Sequence, residues 1–272
     1  MFEKISLAGD LGSGKSTVSD ILIKLLDAEY YSTGAIVRSI AEKHGMSVVE
    51  LNRYMETHPE IDREIDDGLK ALSNESRRLI IDSRMAWHFT EGTFKVYLST
   101  DIETSAIRIM NAKRRGEHSA TLEETIADTK ARRESEKKRY REQYGVDIKD
   151  LSNYSLIVDT TYATPTEIAD CIKTAFERWL KDKSYSCVYL SPFRLNFPDG
   201  EPNQELMLKY SDMLDTETEI PIPEVFEKDG EFYLKSGHEA ALAYTLSDAS
   251  FIPARLVLGE INREFVKMRN SF

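Results

Sequence analysis

Gly9-Asp10-Leu11-Gly12-Ser13-Gly14-Lys15-Ser16-Thr17 fits the pattern G-x-x-x-x-G-K-[ST], and its residue types suit phosphate handling. Backbone N–H groups wrap a triphosphate only where no Cβ blocks the approach, which is the use of Gly9, Gly12 and Gly14. Lys15 supplies a point charge that reaches the β- and γ-phosphates, and the Ser16 hydroxyl is a hard oxygen ligand suited to Mg²⁺. Ser13 and Thr17 complete the phosphate-contacting set. The flanks agree. Ile5 to Ala8 reads as a short strand. Val18, Ile21, Leu22, Leu25 and Leu26 then fall on one face of a helix whose N-terminus would point at the phosphates.

A phosphate-transfer site needs further charges, brought from other elements. Ser32 or Thr33 caps a helix that carries Arg38 about one turn in, where its guanidinium could reach back to the helix mouth. Leu79-Ile80-Ile81 reads as a central parallel strand ending in Asp82-Ser83-Arg84. Ligands collect at the carboxyl ends of such strands, so Asp82 is placed for the Mg²⁺ shell and Arg84 for a phosphate. A strand-end Asp can equally cap a loop. Met46 to Ser73 reads as helix broken at His58-Pro59. Its acids Glu60, Asp62, Glu64 and Asp67 read as solvated, with Asp66 the candidate for more. Asp101 is an N-cap for the helix that runs to Lys113-Arg114-Arg115 before Gly116, and Thr121 to Glu124 is a capping box. Arg132, Glu136 and Arg139 share a face of the helix beyond. That arm reads either as a lid over the transferred group or as an exposed helix laced with ion pairs. Ser155 to Asp159 is the next strand, and Thr164-Pro165-Thr166-Glu167 starts the helix that follows it.

Strands therefore alternate with helices from Ile5 to Trp179, the pattern of an α/β fold with a parallel sheet covered on both faces. The expectation is a three-layer P-loop NTPase domain over residues 1–181 with a helical lid, followed by a small α+β domain over 185–272. In the latter, Asn203 to Leu214 reads as helix and Val225 to Leu234 as a hairpin turning at Asp229-Gly230. Ala240 to Leu246 reads as a short helix and Arg255 to Ile261 as a closing strand.

The formal charge of the 272-residue chain is −11, and from Tyr185 onward 15 acidic residues face 8 basic ones. That balance argues against a general nucleic-acid or anionic-membrane binder. No apolar run approaches the roughly 20 residues that span a bilayer. Neither a leader nor a membrane span is expected, and the expected location is cytoplasmic. Cys171 and Cys187 match no zinc or redox spacing and are expected to be reduced, packed thiols.

From Met1 to about Lys181 the chain resembles the cytidylate kinases, especially the short, archaeal-type branch. The residues that carry the likeness are the phosphate loop, Ser32 to Arg38, Pro59 to Asp66, Asp82-Ser83-Arg84, Thr129 to Tyr140 and Tyr144 to Ile148. The resemblance implies that Lys15 and Ser16 hold ATP and Mg²⁺. It implies that Thr33, Arg38 and Arg84 hold the acceptor nucleotide, that Arg132, Glu136 and Arg139 fix it from the lid side, and that Asp66 lines the same pocket. Three departures lie on the acceptor side. Val37 stands where the family usually has an aromatic, Glu136 where the longer branch often has Asp, and Ser83 where Gly is common.

From Tyr185 the chain resembles the ParB/sulfiredoxin-like domains through an Ile220 to Pro223 strand, the hairpin, and Gly237-His238-Glu239 before an Ala-rich helix. Glu239 replaces the arginine that binds phosphate in that superfamily, so the tail is expected to bind a partner, restrict the substrate or carry a degenerate ligand site. The expected reaction is ATP-dependent phosphorylation of a nucleoside monophosphate, CMP or dCMP, a small-molecule partner. Three alternatives stand beside it: a P-loop kinase of another small acceptor, a nucleotide-switched regulatory protein with the tail as effector, and a nucleic-acid partitioning factor.

Overall fold

Lys4–Gly9 (β1) is buried along its whole length, so it needs neighbours on both edges and both faces. The computed structural model describes residues 3–46, 48–55, 57–112, 121–247 and 249–267, and the basic run Lys113-Arg114-Arg115 lies outside them. β1 leads through the glycine loop to Lys15–Leu26 (α1), then Glu29–Ser32 (β2), Thr33–Lys43 (α2), Val48–Met55 (α3) and Pro59–Ala71 (α4). Leu79–Asp82 (β3), Ala86–Phe89 (α5), Thr93–Ser99 (β4), Ile102–Asn111 (α6), Leu122–Tyr144 (α7), Leu156–Asp159 (β5) and Pro165–Lys181 (α8) follow. The C-terminal segment holds Cys187–Leu190 (β6), Leu195–Pro198 (β7), Gln204–Asp215 (α9), Glu224–Lys228 (β8), Glu231–Ser236 (β9), His238–Leu246 (α10), Ile252–Leu256 (β10) and Phe265–Lys267 (β11).

The expected caps are in place. Ser32 accepts from the Ala35 N–H at 3.3 Å, and Asp101 accepts from the Thr104 N–H at 2.8 Å. Thr121 and Thr164 each form a reciprocal capping box. The break at His58 is where α4 begins, with Pro59 in its first turn.

β1 pairs in parallel with β3 on one side and β4 on the other; β2 flanks β3 and β5 flanks β4. Helix α8 then returns the chain to β6, which adds in parallel beside β5. Because β6 runs with β5, the turn after β6 emerges on the crest of the sheet that also carries the phosphate loop. β10 lies antiparallel to β6 and passes the sheet on to β8, β9, β7 and β11. Beneath one face, Val18, Leu22 and Leu26 of α1 meet Ile168, Ile172, Phe176 and Trp179 of α8 over Ile5, Leu7, Phe94 and Val158. Phe176 is 1% exposed. Its truncation to alanine costs about 3–5 kcal/mol. Cys171 and Cys187 are free thiols packed at the edge of this core. A second core joins Tyr97, Tyr154 and Ile157 to Val188, Leu195, Phe232 and Ile252, so the C-terminal segment shares apolar packing with the phosphate-loop layer.

Three expectations change. Residues 220–223 form no strand, since Pro221 and Pro223 have no N–H to donate to a ladder. The strand expected over Arg255 to Ile261 instead runs Ile252–Leu256, and a further short strand, Phe265–Lys267, closes the chain's sheet. Asp62 is buried rather than solvated, because α4 turns it toward α7.

Candidate active site

The glycine loop closes by local geometry. Asp10 N–H donates to the Leu98 carbonyl at 2.9 Å, and Ser13 N–H donates back to the Asp10 carbonyl at 3.2 Å. Gly12 sits at φ +72°, and a Cβ there would lie 2.6 Å from the Ser105 carbonyl oxygen, so only glycine lets α6 press against the loop. Gly14, at φ +83°, faces open space, which leaves the cradle mouth clear. Lys15 Nζ donates to the Gly9 and Asp10 carbonyls at 3.2 and 3.0 Å. Burial pushes its ammonium down to about 7, and the Arg84 guanidinium adds to that push. The Ser13 hydroxyl is buried with no hydrogen-bond partner among the described residues. Ser16 and Thr17 are exposed on the first turn of α1.

Arg84, from the end of β3, converges on the same loop. Its Nη1 donates to the Gly9 carbonyl that Lys15 also contacts, and its Nε stands 3.0 Å from Glu136 of α7. Arg132 Nε lies 3.3 Å from the other Glu136 oxygen. Burial would push the Glu136 carboxyl up, but Arg84, Arg132, Arg139 and Lys15 hold it below its ordinary range. Five of the expected residues therefore meet: Lys15, Arg84, Arg132, Glu136 and Arg139. Arg139 leans on the neighbouring Tyr140, donating to its hydroxyl at 3.2 Å, and faces Asp62. Asp82, at the tip of β3, accepts from the Tyr30 hydroxyl at 2.9 Å, and the Thr33 hydroxyl donates to the Asp82 carbonyl at 3.5 Å.

Arg38 and Asp66 stand apart from that cluster. Arg38 is exposed on α2, its Nη1 3.5 Å from the point where a Cβ on Gly34 would sit, so it does reach back toward the helix mouth. Asp66 accepts from the Tyr144 hydroxyl at 2.7 Å, which ties α4 to the end of α7. Burial raises the carboxyls of both Asp62 and Asp66.

Sequence reasoning missed a second charged cluster beneath the loop. Asp10 is buried and pairs with Lys149, accepts from the Tyr97 hydroxyl at 2.9 Å and the Thr100 N–H at 3.1 Å, and lies 3.8 Å from Arg133. Burial would raise its carboxyl, but Lys149 and Arg133 hold it at about 2. Arg133 also donates to the Ser105 hydroxyl at 3.4 Å. Nothing local marks Lys149, which meets Asp10 across 139 residues. Arg133 was hidden because it falls off the helix face shared by Arg132, Glu136 and Arg139.

The residues fit a nucleotide-borne metal. Among the described residues no cluster of three or more His, Cys, Asp or Glu could hold an ion by itself. Ser16 and Asp82 supply hard oxygens, however, and Mg²⁺ commonly takes one or two protein oxygens beside substrate phosphates. The open cradle at Gly14 and the unpartnered Ser13 hydroxyl fit a phosphate beside them.

An AAA-domain family profile matches residues 5–143, about half of the chain. Cytidylate kinase from Thermoplasma volcanium is 36% identical over 187 residues, which cover 67% of this chain and 96% of that protein. Cytidylate kinase from Methanothrix thermoacetophila is 38% identical over 156 residues, 57% of this chain and 87% of its own length. Sulfiredoxin from Arabidopsis thaliana is a solved structure that aligns with 27% of this chain and 85% of its own. Its identity is 20% and its TM-score 0.25, too low to carry an argument. Among the described residues no helix is long and apolar enough to cross a membrane. The near-complete coverage of a curated relative at that identity, over the segment that builds the glycine cradle and the arginine cluster, makes this chain a member of the cytidylate kinase family.

Proposed function

We propose that this protein transfers the γ-phosphoryl group of ATP to a nucleoside monophosphate, with CMP or dCMP as the acceptor. The observation that carries the reading is the convergence of Lys15 and Arg84 on one carbonyl, that of Gly9. A donor held by the cradle and an acceptor held by Arg84 would meet there with their reacting oxygens close.

Within this reading Gly9, Gly12, Ser13, Gly14, Lys15, Ser16 and Thr17 bind the donor phosphates. Thr33, Arg38, Arg84 and Asp66 serve the acceptor, while Arg132, Glu136 and Arg139 close over it from α7. A phosphate acceptor is mostly ionised at neutral pH, so the site needs no strong base; positioning and charge neutralisation carry the reaction. Mg²⁺ held near Ser16 and Asp82 would neutralise charge developing on the β- and γ-phosphates. Glu136 keeps three guanidinium groups gathered until an anionic substrate takes up their charge. Residues 185–272 are proposed as a small α+β domain, continuous with the first sheet through β6, that modulates this site or binds a partner.

The test is an ADP-release screen over the ribo- and deoxyribonucleoside monophosphates. The reading expects CMP or dCMP to be the best acceptor. A protein that phosphorylates only a non-nucleotide acceptor, or releases ADP at one rate whatever monophosphate is added, does not work this way.

A further inference from the structure

Beside the shared sheet and the second apolar core, the C-terminal segment meets the kinase layer through a buried ion pair. Arg194, in the turn after β6, is 3% exposed, and Asp159, the last residue of β5, is 0% exposed. Arg194 Nε lies 3.6 Å from the Asp159 carboxylate, and its other nitrogens face the Gly230 carbonyl at 3.0 Å and Glu231 at 3.4 Å. The Ser191 N–H donates to the second Asp159 oxygen at 3.3 Å. Two segments far apart in the chain thus grip one carboxylate, a costly burial unless both charges stay paired.

From Asp159 a continuous set of contacts leads to the phosphate loop. The Thr161 hydroxyl donates to Asp159 at 2.6 Å and accepts from the Asp101 N–H at 3.2 Å. Asp101 caps α6, and Arg108 of α6 donates to the Thr160 and Thr161 carbonyls at 2.7 and 3.3 Å. Ser105, one turn into α6, donates to the Leu11 carbonyl, and its own carbonyl is the atom that excludes any Cβ at Gly12. Each link is a buried or half-buried polar contact between packed elements, a physical route by which one end can bias the other.

The route lies on the donor side. Arg84 and Arg38, the acceptor cations of the proposed reading, come from the β3 and β2 side of β1, whereas Thr160, Thr161 and α6 lie on the β4 and β5 side. A nucleoside triphosphate anchored at Lys15 with its acceptor toward β3 must extend its ribose and base the other way. On that crest the exposed Tyr162 meets Phe193, the neighbour of Arg194, edge to face at 5.4 Å.

We propose that the C-terminal segment is a working part of the donor side of the kinase site, with Arg194 a positioning residue that holds residues 159–163 and the start of α6 in register with the phosphate loop. This rests on the phosphoryl-transfer reading for the identity of the donor, ATP. Arg194 touches no reacting atom; it acts through Asp159 and Thr161.

The experiment uses the full chain. Arg194→Met combined with Asp159→Asn removes both buried charges together, and Thr161→Val breaks the relay while leaving both charges of the ion pair in place, at the loss of one hydrogen bond to Asp159. Arg194→Lys restores a cation opposite Asp159. Each is measured for melting temperature, for affinity toward a non-hydrolysable ATP analogue without acceptor, and for KM toward ATP and CMP. The expected result is a roughly twofold to thirtyfold loss of analogue affinity and the same rise in KM for ATP. KM for CMP stays at the wild-type value, and Arg194→Lys recovers part of the loss. Unchanged analogue affinity in Thr161→Val and the double variant overturns the proposal. So does a parallel rise in both KM values that tracks the melting temperature, since that is what a purely structural pair would give. Wild-type protein that binds the analogue yet phosphorylates no monophosphate would instead sink the kinase reading, while the affinity comparison still decides the role of Arg194.

Discussion

Replacing Asp10 with asparagine isolates the one strongly perturbed acid in the phosphate loop. The carboxylate is 5% exposed and gathers Lys149, Tyr97, Arg133 and the Thr100 N–H. Its carboxyl sits at about 2, against about 3.9 in an unfolded chain. That difference corresponds to about 2–3 kcal/mol of stability at neutral pH. Because the folded value lies below the unfolded one, the contribution is fully present above about pH 4 and is lost as pH falls through 2. Asp10→Asn should therefore be about 2–3 kcal/mol less stable at pH 7. The larger cost of an orphaned buried charge is avoided, because the Lys149 side chain is 34% exposed and can turn to water. For a chain of this size the melting temperature should drop by about 5–10 °C. Thermal melts of both proteins at pH 7 and down through pH 4 to 2 make the comparison, and the gap should narrow as the medium becomes acid. Equal melting temperatures at pH 7, or a gap that stays constant into acid, refute the reasoning that Asp10 is held as a stabilising anion.

Arg84→Ala removes the guanidinium shared by Gly9 and Glu136 and should lower turnover by roughly 10³-fold, read by coupled ADP release at saturating ATP. Gly12→Ala forces a Cβ to within 2.6 Å of the Ser105 carbonyl at a positive φ, so ATP-analogue binding measured by titration should weaken by at least tenfold. Lys15 sits at about 7 without a ligand, so phosphate binding must protonate it. Calorimetry in buffers of differing ionisation enthalpy should find proton uptake at pH 8, little at pH 6, and weaker nucleotide affinity at the higher pH. Arg133→Ala should reduce turnover while Lys138→Ala, a solvated ion-pair residue on the same helix, leaves it unchanged.

The strand–loop–helix at Gly9 to Leu26 was legible because every signal in it is local: the glycines, the apolar strand and the helix face all lie within one short stretch. The capping boxes at Thr121 and Thr164 were legible for the same reason. Arg84 lies beside the glycine loop, the region to which the rule that ligands gather at strand ends points from the strand alone. What stayed hidden depends on contacts distant in sequence. Lys149 carries no mark that aims it at Asp10, and Asp62 lies in an acidic run whose members differ only in what α7 covers. The joining of β6 to β5 was hidden too. Cys187 to Leu190 is apolar whether it opens a separate unit or extends the first sheet, and only the pairing with Leu156 to Val158 decides. The Ile220 to Pro223 segment misled because alternating apolar residues imitate a strand while the prolines withhold its donors.

The most direct measurement of the central claim, that donor and acceptor phosphates meet between the glycine cradle and the arginine cluster, is product stoichiometry with ATP and CMP in wild-type protein and in Lys15→Ala. The account predicts equal amounts of ADP and CDP from wild type, formed only when CMP is present, and a loss of roughly 10³-fold or more in Lys15→Ala. ADP formed without CDP, or CDP formed as fast by Lys15→Ala, would contradict it.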